Sequence, residues 1–490
     1  MWLVIGCWEF LPCALGYTIR LSRTSVWLPL TILLLLALLA MNIYRARRQS
    51  ITIDEAFTYN VYVDAPAENI LKIWDANNHV LHTFLCRISV WLFGRSELAV
   101  RIPSLLGGLL YMVTILRICR YVFGDGWYCF LSFALLCMSP AVLDYMSAAR
   151  GYGLAMAFFF WSMLAMLRWR EDPTALEKAS AGLALSVASN LTFVFPGAAL
   201  ALVFGLLLAR EGKGRAALDR FLVPGTVLAF SALVLPLIQV DKNSFYFGEK
   251  SMAASLDSVL RIAWMHHTYD PLRLTGMLWG LLWWAKIVVP AVLIVAALMC
   301  CRKGASPVLI LTAGSLIGCV FLLIAGHRAF QLLYPIRRTG LYWIPLFLLT
   351  SLLLIWAVLQ KNRFAAAPFL AIAMLCLAQF VSQLCVRHYA EWPGDASNRR
   401  IVQEIRKHHA LHPKAAVRVA TATWQLEEGL NYYRRLFRMD WMQPIDRKSL
   451  DGPCDYYIAL PADAGPLEKL ALTRIYQDPF TEAILAVPSL

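Results

Sequence analysis

Charge is what this chain has little of. Asp, Glu, Lys and Arg make up 16% of its 490 residues against 59% hydrophobic ones, and the apolar residues come in long blocks, which excludes water as the main solvent. CxxC pairs and metal-like cysteine spacing are also missing. The twelve Cys are scattered through apolar runs and read as small core residues rather than disulfides. The apolar stretch Met1 to Leu15 has neither a basic leading region nor a small-residue cleavage site, so it does not fit a cleaved signal peptide and reads as interfacial or as a misassigned start. Acidic residues are the scarcer sign, 31 against 45 basic, a net charge of +14. Without a topology such an excess would suggest nucleic acid. The basic residues, however, fall in short connections between apolar blocks: Arg117 and Arg120, Arg168, Arg170 and Lys178, Arg210, Lys213, Arg215 and Arg220, Arg302 and Lys303, Lys361 and Arg363. That is the cytoplasmic bias of a polytopic membrane protein, whose partner is a lipid bilayer and not a nucleic acid.

What is present, then, is hydrocarbon. A span needs about 20 apolar residues, and Val26 to Tyr44 supplies the first. The apolar blocks predict an all-α membrane domain over residues 1–386 with eleven spans, at 26–44, 98–119, 127–143, 151–167, 179–190, 192–209, 221–240, 276–300, 307–325, 339–360 and 365–386. The fifth and sixth, short and flanking Asn190, also fit one long broken helix, which would change the parity. Eleven spans place the N-terminus inside, the C-terminus outside and every basic connection named above in the cytoplasm. Arg45, Arg47 and Arg48 oppose this orientation, since they then lie outside.

The external loops carry most of the polar chemistry: Arg45 to Glu97, Asp144 to Arg150, Asp241 to Arg273 and Gly326 to Arg338. Within the first, His79 to Phe93 is helical in pattern but too short to span, so it is expected to lie in the membrane interface. Residues 387–490 change abruptly to polar composition and predict a small soluble α/β domain on the extracytoplasmic side. NRRIVQEIRKHH and WQLEEGLNYYRRL read as helices; AVRVATAT, DYYIAL and the alternating TRIY and EAILAV segments read as strands. With no Gly-rich phosphate loop and no nucleophile elbow, that domain suits acceptor recognition or a structural cap.

The adjacent carboxylates Asp54 and Glu55, in ITIDEAFTYN, follow the first span closely. Inverting transfer of a sugar from a lipid phosphate to a hydroxyl needs one carboxylate to take the acceptor proton, and a phosphate leaves without a second, protonating one. A solvated acidic pair at the end of a span is the alternative.

Three segments, DEAFTYN, ANNHVLHTFLCRISVWLFGRSELAVRIPSLLGGLL and SPAVLDYMSAARGYGLAMAFF, together with the weaker YPIRRTGLYWIPLFLL, resemble the GT-C family that includes dolichyl-phosphate-mannose protein mannosyltransferases and lipid A aminoarabinose transferases. The resemblance covers roughly residues 50–170, and the order and spacing of its pieces is more specific than any one of them. It implies an inverting glycosyltransferase using a polyprenyl-phosphate sugar, in a bacterial plasma membrane, with the catalytic Asp in the first external loop, a position only Asp54 and Glu55 match. It also relates Arg150 to an Arg of the family and His79 to the residue that opens the interfacial helix, although this chain has Val80-Leu81 where relatives show Pro-Pro. Some relatives place a His near a bound divalent ion, which makes His79 with His266 or His267 the place to look for a metal; interfacial histidines satisfied by water or backbone are the other reading.

A lipid phosphate needs fixed positive charge, and Arg supplies it in planar form. Arg150, Arg337 and Arg338 are the candidates, with His79 beside them; snorkelling at the interface is their alternative. Asp144 is either the structural partner of Arg150 or, with Tyr152, part of the cavity wall. Tyr246 and Phe247 have the shape to stack on a sugar, without local support. Donor sugar and acceptor, whether glycan, lipid or protein, are not readable. A transporter or flippase would show inverted repeats and mid-span polar residues, and neither is evident; a non-catalytic assembly protein would have no use for Asp54 in its motif.

Overall fold

The computed structural model describes residues 26–73, 75–239, 247–264, 275–302, 304–446 and 453–489. His266, His267 and Tyr246 lie outside them. Among the described residues, eight helical stretches are long and apolar enough to cross a membrane: Trp27–Arg48, Glu97–Phe123, Leu191–Arg210, Gly214–Leu235, Trp283–Cys300, Pro307–Phe330, Arg337–Leu359 and Arg363–Ser382. This is a multi-pass membrane protein.

The first half contains α1 (Trp27–Arg48), α2 (Ile53–Thr58), α3 (Val80–Phe93), α4 (Glu97–Phe123), α5 (Trp127–Cys137), α6 (Pro140–Tyr145), α7 (Tyr152–Leu167), α8 (Ala175–Ser189), α9 (Val194–Arg210) and α10 (Val223–Ile238). The predicted span 127–143 is interrupted. Ser139 precedes Pro140 and takes ψ 121°, because a proline ring disfavours the helical region for the residue before it, and α6 starts afresh. At Asn190 the chain is extended (φ −160°, ψ 119°) and the side-chain oxygen accepts from Thr192 N at 3.0 Å. That residue stops α8 and caps the next turn. The connections on either side, 168–178 and 210–220, meet through Arg170–Glu211 and Arg220–Glu177, so the chain returns to the end it left and the two segments are not one continuous helix.

Close approach replaces hydrophobic driving force inside the bundle, as lipid offers apolar groups no penalty to escape. A side chain at Gly107 of α4 would lie 2.8 Å from Leu154 N, and one at Gly108 would lie 2.9 Å from Met146 Cβ. These glycines let α4 seat directly on α7 and its approach. By contrast α3 leaves Phe84, Ile88, Trp91 and Leu92 exposed, with Trp91 at 81%. Their spacing puts them on one face, as an interfacial helix requires.

The second half continues with α11 (Met252–Trp264), α12 (Thr275–Cys300), α13 (Pro307–Phe330), α14 (Trp343–Leu359) and α15 (Ala366–Ser382), then α16 (Asn398–Leu411) and α17 (Leu426–Leu436). These last two cover a four-stranded sheet of β1 (Val419–Thr421), β2 (Tyr456–Ala459), β3 (Leu472–Gln477) and β4 (Ile484–Pro488), in the order β1-β2-β4-β3. β1 and β2 run parallel and the other two pairs antiparallel, which realises the expected small α/β unit. Its core is continuous with the first loop: Ile51, Ala56, Tyr59 and Val63 are buried in the same cluster as Ile401, Ile405, Leu430 and Tyr433.

Candidate active site

Asp54 is the second residue of α2. Thr52 caps that helix, its hydroxyl accepting from Glu55 N while Glu55 Oε2 accepts from Thr52 N at 2.9 Å. This reciprocal arrangement fixes where the helix starts and sends the two acidic side chains in different directions. Glu55 is fully buried. It receives Arg101 Nε at 2.9 Å, Arg101 Nη2 at 2.6 Å and Ala149 N at 2.5 Å. Burial by itself would push its carboxyl up, but the charge and hydrogen bonds of Arg101 and the two backbone donors outweigh it and hold the group below its ordinary range.

Asp54 stays 14% exposed and faces two guanidinium groups, Arg338 Nη2 at 3.2 Å and Arg150 Nη2 at 3.7 Å, both on Oδ2. Arg338 also pairs with Glu391 and lies over two rings, Phe247 at 5.1 Å and Trp392 at 5.4 Å from its central carbon. Five donors in one plane allow this division of labour and leave N–H groups to spare. Arg337 does something else. Its backbone is left-handed (φ 46°) and its side chain is exposed, so the two neighbouring arginines part company and only Arg338 enters the site.

Arg150 is buried, and its Nε has no hydrogen-bond partner among the described residues. The same holds for His79 Nε2, Tyr145 Oη, Tyr389 Oη and Glu391 Oε1. Leaving a buried polar group unsatisfied costs about 1–3 kcal/mol, so Arg150 Nε, beside Asp54, and Glu391 Oε1, beside Arg338, are groups that a polar ligand or water would satisfy. His79 immediately precedes α3 without a side-chain capping bond, and its ring meets that of Tyr152 edge-on at 5.7 Å, with Tyr145 4.9 Å beyond. Burial, with Arg150, His82 and Arg338 adding positive charge nearby, holds the imidazole well below its usual range, so it is neutral at pH 7.

Asp144 is buried on α6. It pairs with Arg45 of α1 and accepts from Ala390 N at 3.0 Å. That pairing accounts for one of the three arginines at the end of α1 that opposed the predicted orientation: Arg45 is buried and neutralised, and so is a poor guide to topology, whereas Arg47 and Arg48 are exposed. Of the predicted residues, then, Asp54, Arg150, Arg338, His79 and Tyr152 come together, Glu55 and Asp144 flank them in buried ion pairs, and Arg337 turns away. Among the described residues no three His, Cys, Asp or Glu side chains converge as a metal site would need, and two guanidinium groups already face Asp54. The other two candidate ligands, His266 and His267, lie outside the described residues.

Sequence reasoning missed Glu391, Trp392 and Asp395, which follow the last span. Asp395 Oδ2 accepts from Ile53 N at 2.7 Å. Burial, with Ile53 N opposing and the charges of Asp54 and Glu55 adding, raises its carboxyl well above the usual range. The acidic character of EWPGD just beyond a membrane boundary was the available signal.

No family model matches the chain, and no curated protein matches it. Solved structures do. ArnT from Cupriavidus metallidurans in the apo state is 14% identical over 95% of this chain and 98% of its own, with a TM-score of 0.50. The same protein bound to undecaprenyl phosphate gives 14% identity, 94% and 97% coverage and a TM-score of 0.48. The oligosaccharyltransferase of Archaeoglobus fulgidus, in complex with Zn and sulfate, gives 12%, 93% and 73%, and 0.46. The chain has the GT-C fold.

Proposed function

We propose that this protein is an inverting glycosyltransferase that moves a sugar from a polyprenyl-phosphate donor to a hydroxyl of an envelope glycan, lipid or protein, on the extracytoplasmic face of a bacterial plasma membrane. The observation that carries the reading is the difference between two adjacent carboxylates: Asp54, 14% exposed, faces Arg338 and Arg150, while its neighbour Glu55 is fully buried and consumed by Arg101. The binding of undecaprenyl phosphate by ArnT, a protein of the same fold, supports a donor of that class.

In this reaction the acceptor oxygen attacks the anomeric carbon and its proton passes to Asp54. The bond between that carbon and the phosphate oxygen breaks, and polyprenyl phosphate departs with the electron pair. Arg338 and Arg150 neutralise the departing phosphate, which competes with Asp54 for Arg338 and so frees the carboxylate to act as base. Neutral His79 offers a hydrogen bond rather than charge. Glu55 positions Asp54, and Glu391 holds Arg338.

The test is transfer from a panel of radiolabelled polyprenyl-phosphate sugars to membrane extract by the purified protein. At least one label is expected to move, and Asp54→Asn is expected to lose about 10²-fold in single-turnover rate while still binding donor. No transfer from any donor, or an undiminished rate in the variant, would reject the assignment.

A further inference from the structure

We infer that Tyr433 and Asp395, which lie beyond the membrane domain, are positioning residues for Asp54. Three consecutive backbone N–H groups lead into α2, and each is taken by a side chain: Ile51 N by Tyr433 Oη at 2.9 Å, Thr52 N by Glu55 at 2.9 Å, and Ile53 N by Asp395 at 2.7 Å. The next residue is Asp54. Two of the three clamps thus come from the C-terminal unit or the segment leading to it.

The Tyr433 hydroxyl has its full valence in use. It donates its one hydrogen to Glu97 Oε1 at 2.9 Å, and so accepts from Ile51 N and from Ser50 Oγ at 3.1 Å, while Ser50 Oγ in turn accepts from Arg399 N at 3.2 Å. Tyr433, Glu97 and Ser50 are all buried. Removing that one oxygen leaves Ile51 N without a partner, while Ser50 Oγ keeps Arg399 N and Glu97 Oε1 keeps Arg399 Nη1 at 3.5 Å, so it is Ile51 N that must move to find another. Asp395 caps α2 from outside, with Asn398 Nδ2 3.4 Å from its other oxygen. Toward Ile53 N it acts as a hydrogen-bond acceptor, at 2.7 Å. The C-terminal unit, on this inference, sets the position of the base rather than merely covering it.

The inference rests on the transfer reaction proposed above, and its test separates the two. Tyr433→Phe, Asp395→Ala and Asp395→Asn are measured in the full-length protein for single-turnover rate, donor KM, thermal midpoint and hydrogen exchange of the peptide covering 51–58. Tyr433→Phe and Asp395→Ala are expected to cut the rate about tenfold, as small misplacements of a reacting group do, with donor KM within about twofold and faster exchange of that peptide. Asp395→Asn keeps an oxygen for Ile53 N and restores most of the loss. An unchanged rate despite faster exchange overturns the inference, as does unchanged exchange or a rise in KM that matches the fall in rate. If the wild type transfers no sugar at all, the reaction falls and the inference with it, whatever the exchange data show.

Discussion

Around Asp54 the division of work among arginines makes a prediction that neighbouring positions in sequence would not suggest. Arg338→Ala should raise donor KM at least tenfold, with Lys rescuing only in part because a point charge lacks the guanidinium fork. Arg337→Ala, altering an exposed side chain, should leave donor KM within about twofold. Steady-state kinetics on both variants decides it, and equal effects would remove Arg338 from the phosphate site. Glu55 gives a second test. Its folded pKa lies below its ordinary 4.5, so the stability it contributes is fully present above that value and is lost as pH falls through the folded one. Glu55→Gln should destabilise the protein at pH 7 by about 3–5 kcal/mol, the cost of leaving one buried partner unpaired, and should flatten the fall of the thermal midpoint on acidification. At this scale the acidic pair, Arg150 and His79 were legible in local sequence. Glu391, Asp395 and Tyr433 were not, because Glu391 meets Arg338 across 53 residues and the other two meet the first loop across more than 300, and no local pattern encodes those meetings. Nor did sequence separate Arg337 from Arg338, since the left-handed turn that parts them occurs at an arginine, a residue with no preference for it.

The elements themselves follow from apolar periodicity more directly than their junctions do. The helices around residues 27, 97, 307 and 343 were readable because lipid demands length and hydrophobicity from each of them separately. The break at Ser139 was available from Pro140, and the stop at Asn190 from its capping side chain, yet neither interrupts the apolar composition that dominates a hydropathy reading. The start of α7 is the tightest junction. A side chain at Gly151 would come within 1.8 Å of Ser189 O and 2.9 Å of His79 Cβ, so Gly151→Ala must push α8 or His79 away. The expected cost is about 2–3 kcal/mol or more, the upper part of the overpacking range, read as a lowered thermal midpoint in detergent. A midpoint within 1 °C of wild type would show that the junction yields freely.

For the molecule as a whole, the loops carrying Asp54, Arg150, Arg338 and Glu391 gather at one end of the bundle, and the C-terminal unit caps that same end. The basic connections at 168–178 and 210–220 are tied together away from it. Cysteines introduced at Glu68 and Lys469, in a background where the exposed Cys301 is Ser, should therefore react with an impermeant maleimide in intact spheroplasts, whereas one at Lys213 should react only after lysis. Protection of Glu68 and Lys469 together would invert the orientation; opposite behaviour of those two would contradict the shared core. The α/β character of the last hundred residues was legible from alternating strands and two amphipathic helices. Its fusion with the first loop was not, since the residues that join them, Ile51 and Tyr59 on one side and Ile401 and Leu430 on the other, look in sequence like the private core of two separate pieces.

That shared support has a consequence for timing. Translation at about 5–20 residues per second delivers Tyr433 roughly 20–75 s after Asp54, and until then two of the three clamps on the approach to α2 have no donor or acceptor to meet. A nascent or prematurely terminated chain would thus insert the carboxylate without the geometry that the proposed base requires. On the proposed reaction, activity should arrive with the last fifth of the protein, after the described membrane helices, so an unfinished copy in the bilayer should be silent rather than promiscuous.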